Sequence, residues 1–184
     1  MSIQAPPMTA KEFEEFAMQP QNRDARLEFI GGEIIQLVSN QKSSRLGGRM
    51  LHLISLYLDR NPIGFVTSAD GGYHVGNDRY IPDVGFMSKT RQPTASDEAY
   101  NSLPPDLAVE VVSPSDETGD ILAKVNNYLL VGTVVWVFFP QKTEIGVFVP
   151  GQPAKSLGVN DTLDGGAILP GFTAAVRDIF EAGM

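Results

Sequence analysis

An almost continuous apolar run over Leu107–Val112 constrains the fold of this chain more than any other segment. Such a run is typical of a strand that is buried on both faces of a sheet. A glutamate, Glu110, lies inside it, which is unusual for a central strand. The run Thr133–Phe139 has the same apolar character and predicts another buried strand.

The remaining elements follow from apolar spacing, capping residues and turn residues. In its first half the sequence predicts a helix near 10–17 with a Thr9–Glu12 capping box, a β-hairpin over 26–38, a long helix over 43–60, two or three strands over 64–87 and a surface loop over 88–105. The second half predicts a helix over 118–131, whose core face would consist of Ile121, Leu122, Val125, Leu129 and Leu130, and a strand over 144–149. The last part predicts short extended pieces at Leu163 and Ile168 and an apolar anchor at Val176, Ile179 and Phe180. This order indicates an α/β or α+β fold with a mixed sheet packed on helices.

The 184 residues are the length of a single domain, so we expect one domain over 1–184. Membrane spans need about 18 consecutive apolar residues, and no stretch approaches this length. Pro6 and Pro7 stand where a signal peptide would have its apolar region, so the cytoplasm is the expected compartment.

Composition and motifs exclude several classes of site. The chain has no cysteine, which excludes disulfides, thiolate metal sites and cysteine nucleophiles. Dinucleotide-binding, P-loop and serine-hydrolase motifs are missing. The net charge of −8 disfavours nonspecific nucleic-acid binding, although a metal and a few cations can still hold nucleic acid at a compact site.

Two carboxylates, Asp83 and Glu110, lie among apolar neighbours. An ionised carboxylate in such surroundings costs several kcal/mol unless it is paired or bound to a metal. A cation bridging the two acids would satisfy both. The alternatives are a turn role for Asp83 after Pro82 and an ion pair between Glu110 and an arginine or lysine.

Period-two geometry places Ala108, Glu110 and Val112 on one side of the predicted strand. On the following helix, Asp120, Lys124 and Tyr128 recur every four residues and should form a polar stripe opposite the apolar side. This stripe could face Glu110 or water.

Other polar residues carry weaker signals. Lys42, Arg45 and Arg49 share one helix face and could contact phosphates, or could form a solvated basic face. His52 and His74 lack the paired spacing of a zinc site. Ser113 and Ser115 fit strand-end and helix-cap positions better than nucleophile positions.

Several motifs occur together and in order across nearly the whole chain. They are Leu27–Ile34, Ile81-Pro82-Asp83-Val84, Asp106–Asp116, Lys124 and Tyr128 before Gly132, Val135-Trp136-Val137, Asp161-Thr162-Leu163 and Leu169-Pro170-Gly171-Phe172. In these motifs the chain resembles the Uma-type putative restriction endonuclease family, a branch of the PD-(D/E)XK nuclease superfamily.

The resemblance implies a restriction-endonuclease-like mixed sheet flanked by helices, and a phosphodiesterase site dependent on Mg²⁺, with Mn²⁺ as a substitute. Asp83 and Glu110 match the metal-binding acids, and Lys124 matches a lysine on the next helix, whereas the wider superfamily has its lysine at the position of Val112. Glu28 matches an acid of the early hairpin with a possible supporting role. One departure is Ser43 or Ser44, where family members commonly have histidine.

The leading hypothesis is a metal-dependent DNA endonuclease, for which a homodimer would suit cleavage of two strands. The alternative is a catalytically inactive nuclease fold that binds DNA or protein. A small-molecule hydrolase using the two carboxylates is a third hypothesis. Magnesium-dependent nicking of plasmid DNA separates the first two.

Overall fold

The computed structural model describes residues 8–114, 116 and 118–181. Its helices are α1 (Ala10–Ala17), α2 (Gln41–Arg60), α3 (Thr118–Leu130) and α4 (Val176–Glu181). Its strands are β1 (Leu27–Ile30), β2 (Glu33–Gln36), β3 (Gly64–Thr67), β4 (Gly72–Val75), β5 (Asp78–Tyr80), β6 (Val84–Ser88), β7 (Tyr100–Asn101), β8 (Leu107–Val111), β9 (Val134–Phe139), β10 (Glu144–Phe148), β11 (Lys155–Leu157), β12 (Thr162–Asp164) and β13 (Thr173–Ala175).

The strands form two larger sheets and one small one. The six-stranded sheet has the order β11-β10-β9-β8-β6-β3, and the five-stranded sheet has the order β2-β1-β5-β4-β7. β8 pairs parallel to β9, and α3 connects them; β6 pairs antiparallel to β8. Both sheets are mixed and the helices pack on them, so the predicted α+β fold class is confirmed.

The central strand β8 separates two apolar layers, as its sequence predicts. Leu107, Val109 and Val111 join a core that includes side chains of α2 and α4. Ala108 lies on the other side, in a cluster with Val125 and Tyr128 of α3. The side of β8 that carries Glu110 is therefore covered by α3.

The buried face of α3 differs from the predicted one. Leu122 and Leu130, predicted as core, are 53% and 76% exposed, whereas Tyr128 is fully buried. Residues three and four apart share a helix face, so Lys124 and Tyr128 lie on the same face as Val125 rather than opposite it. Lys124 and Tyr128 of the predicted polar stripe thus belong to the buried face, whereas Asp120 is exposed.

Other local predictions hold with shifted boundaries. The capping box is formed, since the Glu12 amide donates to the Thr9 hydroxyl and the Thr9 amide donates to the Glu12 carboxylate. The hairpin turn uses positive φ angles at Gly31 and Gly32, 58° and 95°. Helix α2 begins at Gln41 rather than Ser43, because Asn40 caps it.

Three expectations need correction. Residues 64–88 contain four strands rather than two or three, since Gly76 lies in a turn that separates β4 from β5. The predicted loop 88–105 contains the short buried strand β7, which pairs with β4. Ile168 lies in a turn rather than an extended piece, whereas Leu163 lies in β12 as expected.

In the described part of the chain, no helix combines the length and the apolar character that crossing a bilayer requires.

Candidate active site

The chain crosses from the five-stranded sheet to the six-stranded sheet between β5 and β6, and Asp83 lies at this crossing. The antiparallel register pairs Val84 with Val109, so its continuation sets Asp83 opposite Glu110. The Val111 amide donates to the Asp83 carboxylate at 2.8 Å. The two acids predicted as metal ligands therefore lie at neighbouring positions of adjacent strands.

Lys124 reaches this pair from α3. Its Nζ lies 2.7 Å from Oε1 of Glu28 and 3.0 Å from Oε1 of Glu110, and it is 5.1 Å from the ring centre of Tyr80. The Lys124 side chain is 16% exposed. Lys124 therefore faces Glu110, and the alternative in which it faces water does not describe its position.

Glu28 and Tyr128 complete the buried network. Oε1 of Glu28 also accepts the Ile81 amide at 2.7 Å, which fixes β1 against the crossing between the sheets. The Tyr128 hydroxyl donates to Oε1 of Glu110 at 3.0 Å. Burial raises the pKa of Tyr128 well above its usual value, so this hydroxyl stays protonated and remains a donor.

Burial also shifts the pKa values of the ionisable groups at the centre of the site. It raises the pKa of Glu110, against the opposing effect of Lys124, to about 8. It raises the pKa of Asp83 as well, against the opposing hydrogen bond from Val111. For Lys124 burial disfavours the ammonium, but Glu110 and Glu28 outweigh this and raise its pKa, so Lys124 stays charged.

These groups line a cavity of about 330 Å³. Glu28, Asp83, Glu110 and Lys124 form its polar part, together with the residues Arg26, Asp116 and Asp120. Ile35, Leu37, Val38, Ile121 and Val125 are among its apolar lining residues. Five carboxyl groups and two cations line the cavity, so the acids still outnumber the cations when Glu110 is protonated.

The donor set fits a hard divalent cation. Asp83 and Glu110 supply carboxylate oxygens, and one oxygen of Asp83 makes no hydrogen bond to any described residue. In the described part of the chain, no three histidine, aspartate or glutamate side chains form a metal cluster. Mg²⁺ suits such a site, because it is usually bound through one or two carboxylates, several waters and substrate phosphates.

Residues 11–177 match the family model described as Uma2: Putative restriction endonuclease. The chain belongs to the Uma2 family. A crystal structure described as a putative nuclease belonging to DUF820, from Anabaena variabilis, has a TM-score of 0.82 and 20% identity, covering 95% of this chain and 98% of that chain. This likeness shows a shared fold. No curated protein matches the chain.

In this Uma2 chain, Ser43 and Ser44 stand where the family resemblance led us to expect a histidine. Ser43 is buried, its hydroxyl accepts from the Asn40 side chain at 3.2 Å, and it lines the cavity with the carboxylates. Ser44 lines a second cleft, which Asp83 also lines. Ser43 therefore holds the N-terminal turn of α2 within the site.

The basic residues of α2 lie outside the lining of both clefts. Lys42 is exposed. Arg45 donates to the Phe180 carbonyl at 2.8 Å, which gives it a structural contact at α4. Arg49 is half-buried, and its Nε has no hydrogen-bond partner among the described residues. The proposed phosphate contacts of these three side chains stay predictions.

The remaining predicted residues have local roles. Nε2 of His74 lies 3.1 Å from Glu14, so this histidine is a paired structural group, and His52 is exposed. Ser113 follows β8, and its amide donates to Asp116. Ser115 lies outside the described residues.

Sequence reasoning missed Arg26 and the contact of Tyr80 with Lys124. Arg26 immediately precedes β1 and lines the cavity. Tyr80 is adjacent to the Ile81-Pro82-Asp83 motif, and Asn127 donates to its hydroxyl at 2.7 Å. The proximity of both residues to the Glu28 and Asp83 motifs was the only available signal.

Proposed function

We propose that this protein is a Mg²⁺-dependent DNA endonuclease that hydrolyses phosphodiester bonds. The observation that carries the proposal is the convergence of Asp83, Glu110 and Lys124 in one cavity: two acids face each other across the β6–β8 register, and the ammonium lies 3.0 Å from Glu110. The family description supports the reaction class.

In this proposal Asp83 and Glu110 hold the metal, and Mn²⁺ can replace Mg²⁺. The bound metal would activate water and neutralise the charge that develops on the phosphate. Tyr128 positions Glu110 through its hydroxyl, and the Ile81 amide and Lys124 position Glu28. These contacts hold the carboxylates in place before substrate binds, which lowers the cost of organising the site.

Lys124 acts as a hydrogen-bond donor and a positive charge in this proposal. Its pKa is raised by Glu110 and Glu28, after burial has acted against the charged form, so it holds its proton and is poorly suited to removing one from water. An ammonium close to the scissile phosphate would stabilise its developing negative charge. Glu28 contributes by keeping this ammonium in place.

The test is plasmid nicking in Mg²⁺ by the wild type and by Asp83→Asn. Asparagine is isosteric and its oxygen can still accept the Val111 amide, so folding should persist while metal binding and nicking fall by at least about 100-fold, the scale at which one electrostatic contact to a transition state acts. Asp59→Asn changes an exposed acid of α2 and serves as the matched control.

The proposal fails if purified wild-type protein does not nick DNA with Mg²⁺ or Mn²⁺, or if Asp83→Asn nicks as well as Asp59→Asn. Metal-independent DNA binding without any cleavage would instead support the inactive binding module. We also propose a homodimer for double-strand cleavage, because two-fold symmetry can present two equivalent sites to opposite strands. Sedimentation analysis of the protein with and without a duplex tests this assembly.

A further inference from the structure

A second cleft, of about 290 Å³, adjoins the carboxylate cavity. Arg26, Ser39 and Asp83 line both. Asp83 therefore lies at the boundary between two openings rather than at the end of one. A linear substrate whose reacting group lies at Asp83 could extend into either opening.

Arg26 provides a cation at this boundary. Its Nε is buried and has no hydrogen-bond partner among the described residues. The nearest carboxylate oxygen to Nε is that of Asp70, 4.0 Å away, and the Asp70 side chain is 81% exposed. A planar guanidinium whose Nε–H has no hydrogen-bond partner matches the geometry of a phosphate group.

The Gly47-Gly48 pair of α2 forms part of the wall of the second cleft. A Cβ at Gly47 would lie 3.4 Å from the Cβ of Asp83, so the helix passes close to this acid. A Cβ at Gly48 would meet no atom within 4 Å. Glycine is unfavourable in a helix interior, and packing gives no reason for it at Gly48. A bare helix surface instead leaves room for a ligand backbone.

We propose that the second cleft is a backbone subsite for a polynucleotide strand, in which Arg26 binds a phosphate next to the scissile one and Gly48 leaves space for the strand. This inference rests on the proposed nuclease function and specifies its substrate: a strand that continues on both sides of the cleaved bond. Ser39, Ser44 and Ser68 line the same cleft and supply small polar side chains beside the backbone.

The test measures fluorescence anisotropy of a labelled 12-nucleotide DNA strand with Ca²⁺ in place of Mg²⁺, over a range of salt concentrations. Arg26→Gln should weaken binding about tenfold or more, the effect of losing a charged hydrogen bond. It should also lower the salt dependence by about one phosphate contact. Arg23→Gln, at a side chain that is 67% exposed, is the control and should match the wild type.

A second variant tests the space beside α2 without changing charge. Gly48→Leu should weaken binding of the same strand at least about tenfold while the melting temperature stays the same or rises, because leucine favours helix and has open space there. Ala123→Leu, at an exposed position of α3 outside both clefts, should leave binding unchanged.

If the wild type binds and cleaves DNA but Arg26→Gln and Gly48→Leu behave like their controls, the subsite is wrong and the nuclease proposal stands. If the wild type neither binds nor cleaves DNA with any divalent cation, the nuclease proposal fails and the subsite fails with it. Weakened binding by both variants, with unchanged controls, supports the subsite.

Discussion

The ammonium of Lys124 has two carboxylates within 3.0 Å and an aromatic ring beneath it, in a position with little contact with water. These neighbours keep the ammonium protonated and hold it in one orientation. The sequence indicated Lys124, Asp83 and Glu110 as candidate site residues because they occur in recognisable motifs. It did not predict that Lys124 pairs with Glu28, since a contact between residues 96 positions apart leaves no local pattern.

Lys124→Met separates the chemical and structural roles of this lysine. We expect loss of cleavage, together with a loss of stability of up to about 3–5 kcal/mol, because removing one partner leaves buried carboxylates without their cation. The double variant Lys124→Met with Glu28→Gln removes one of those carboxylates and should recover much of the stability. Cleavage should stay lost.

Chemical denaturation and plasmid nicking, measured on the same samples, check this expectation. Wild-type cleavage by the double variant would remove Lys124 from the mechanism. An exposed lysine, Lys142→Met, provides the control for the change of residue type.

Helix α3 shows how an element can be predicted correctly while its orientation is not. Its limits, Thr118–Leu130, agree closely with the predicted span, and Gly132 follows with a positive φ of 87°. The buried face was misassigned because Leu122 and Leu130 were counted as core, and because Lys124 and Tyr128 were placed on the side opposite the apolar residues. Spacing alone cannot show that a buried glutamate on β8 offers a lysine and a tyrosine their partners.

Two truncations on α3 test the observed orientation. Val125→Ala should cost about 1–2 kcal/mol of unfolding free energy, because this side chain is 4% exposed and its loss leaves a cavity. Leu122→Ala removes a larger side chain at a 53% exposed position and should stay within about 0.5 kcal/mol of the wild type. Urea denaturation decides, and the reverse order would show that the helix is rotated from its described position.

At the scale of the whole molecule, the site lies where two sheets meet. Sequence patterns predicted most strands but not how they divide, since β5 and β6 are separated by three residues and belong to different sheets. That division depends on long-range pairing, which a local pattern does not encode. The acidic lining of the carboxylate cavity agrees with the net charge of −8 of the whole chain.

This acidity makes DNA binding dependent on metal. Even when Glu110 is protonated, four other acids face two cations around the cavity, so a phosphate backbone should be repelled until a divalent cation neutralises part of the charge. We expect at least about a tenfold gain in affinity for DNA on adding Ca²⁺ to metal-free protein, the gain that about 1.4 kcal/mol provides. Anisotropy with EDTA and with Ca²⁺ measures it, and equal affinity in both would contradict it.

The ion pair between Glu28 and Lys124 also affects when the site can assemble during synthesis of the chain. A nascent chain that has not yet reached α3 contains Asp83 and Glu110 but lacks both Lys124 and Tyr128. Under the proposed mechanism, such a chain contains the two metal-binding carboxylates but lacks the lysine that would act on the phosphate. Because synthesis proceeds from the N-terminus, chains that have not reached Lys124 would lack the proposed phosphate donor and should not cleave the DNA of the cell that makes them.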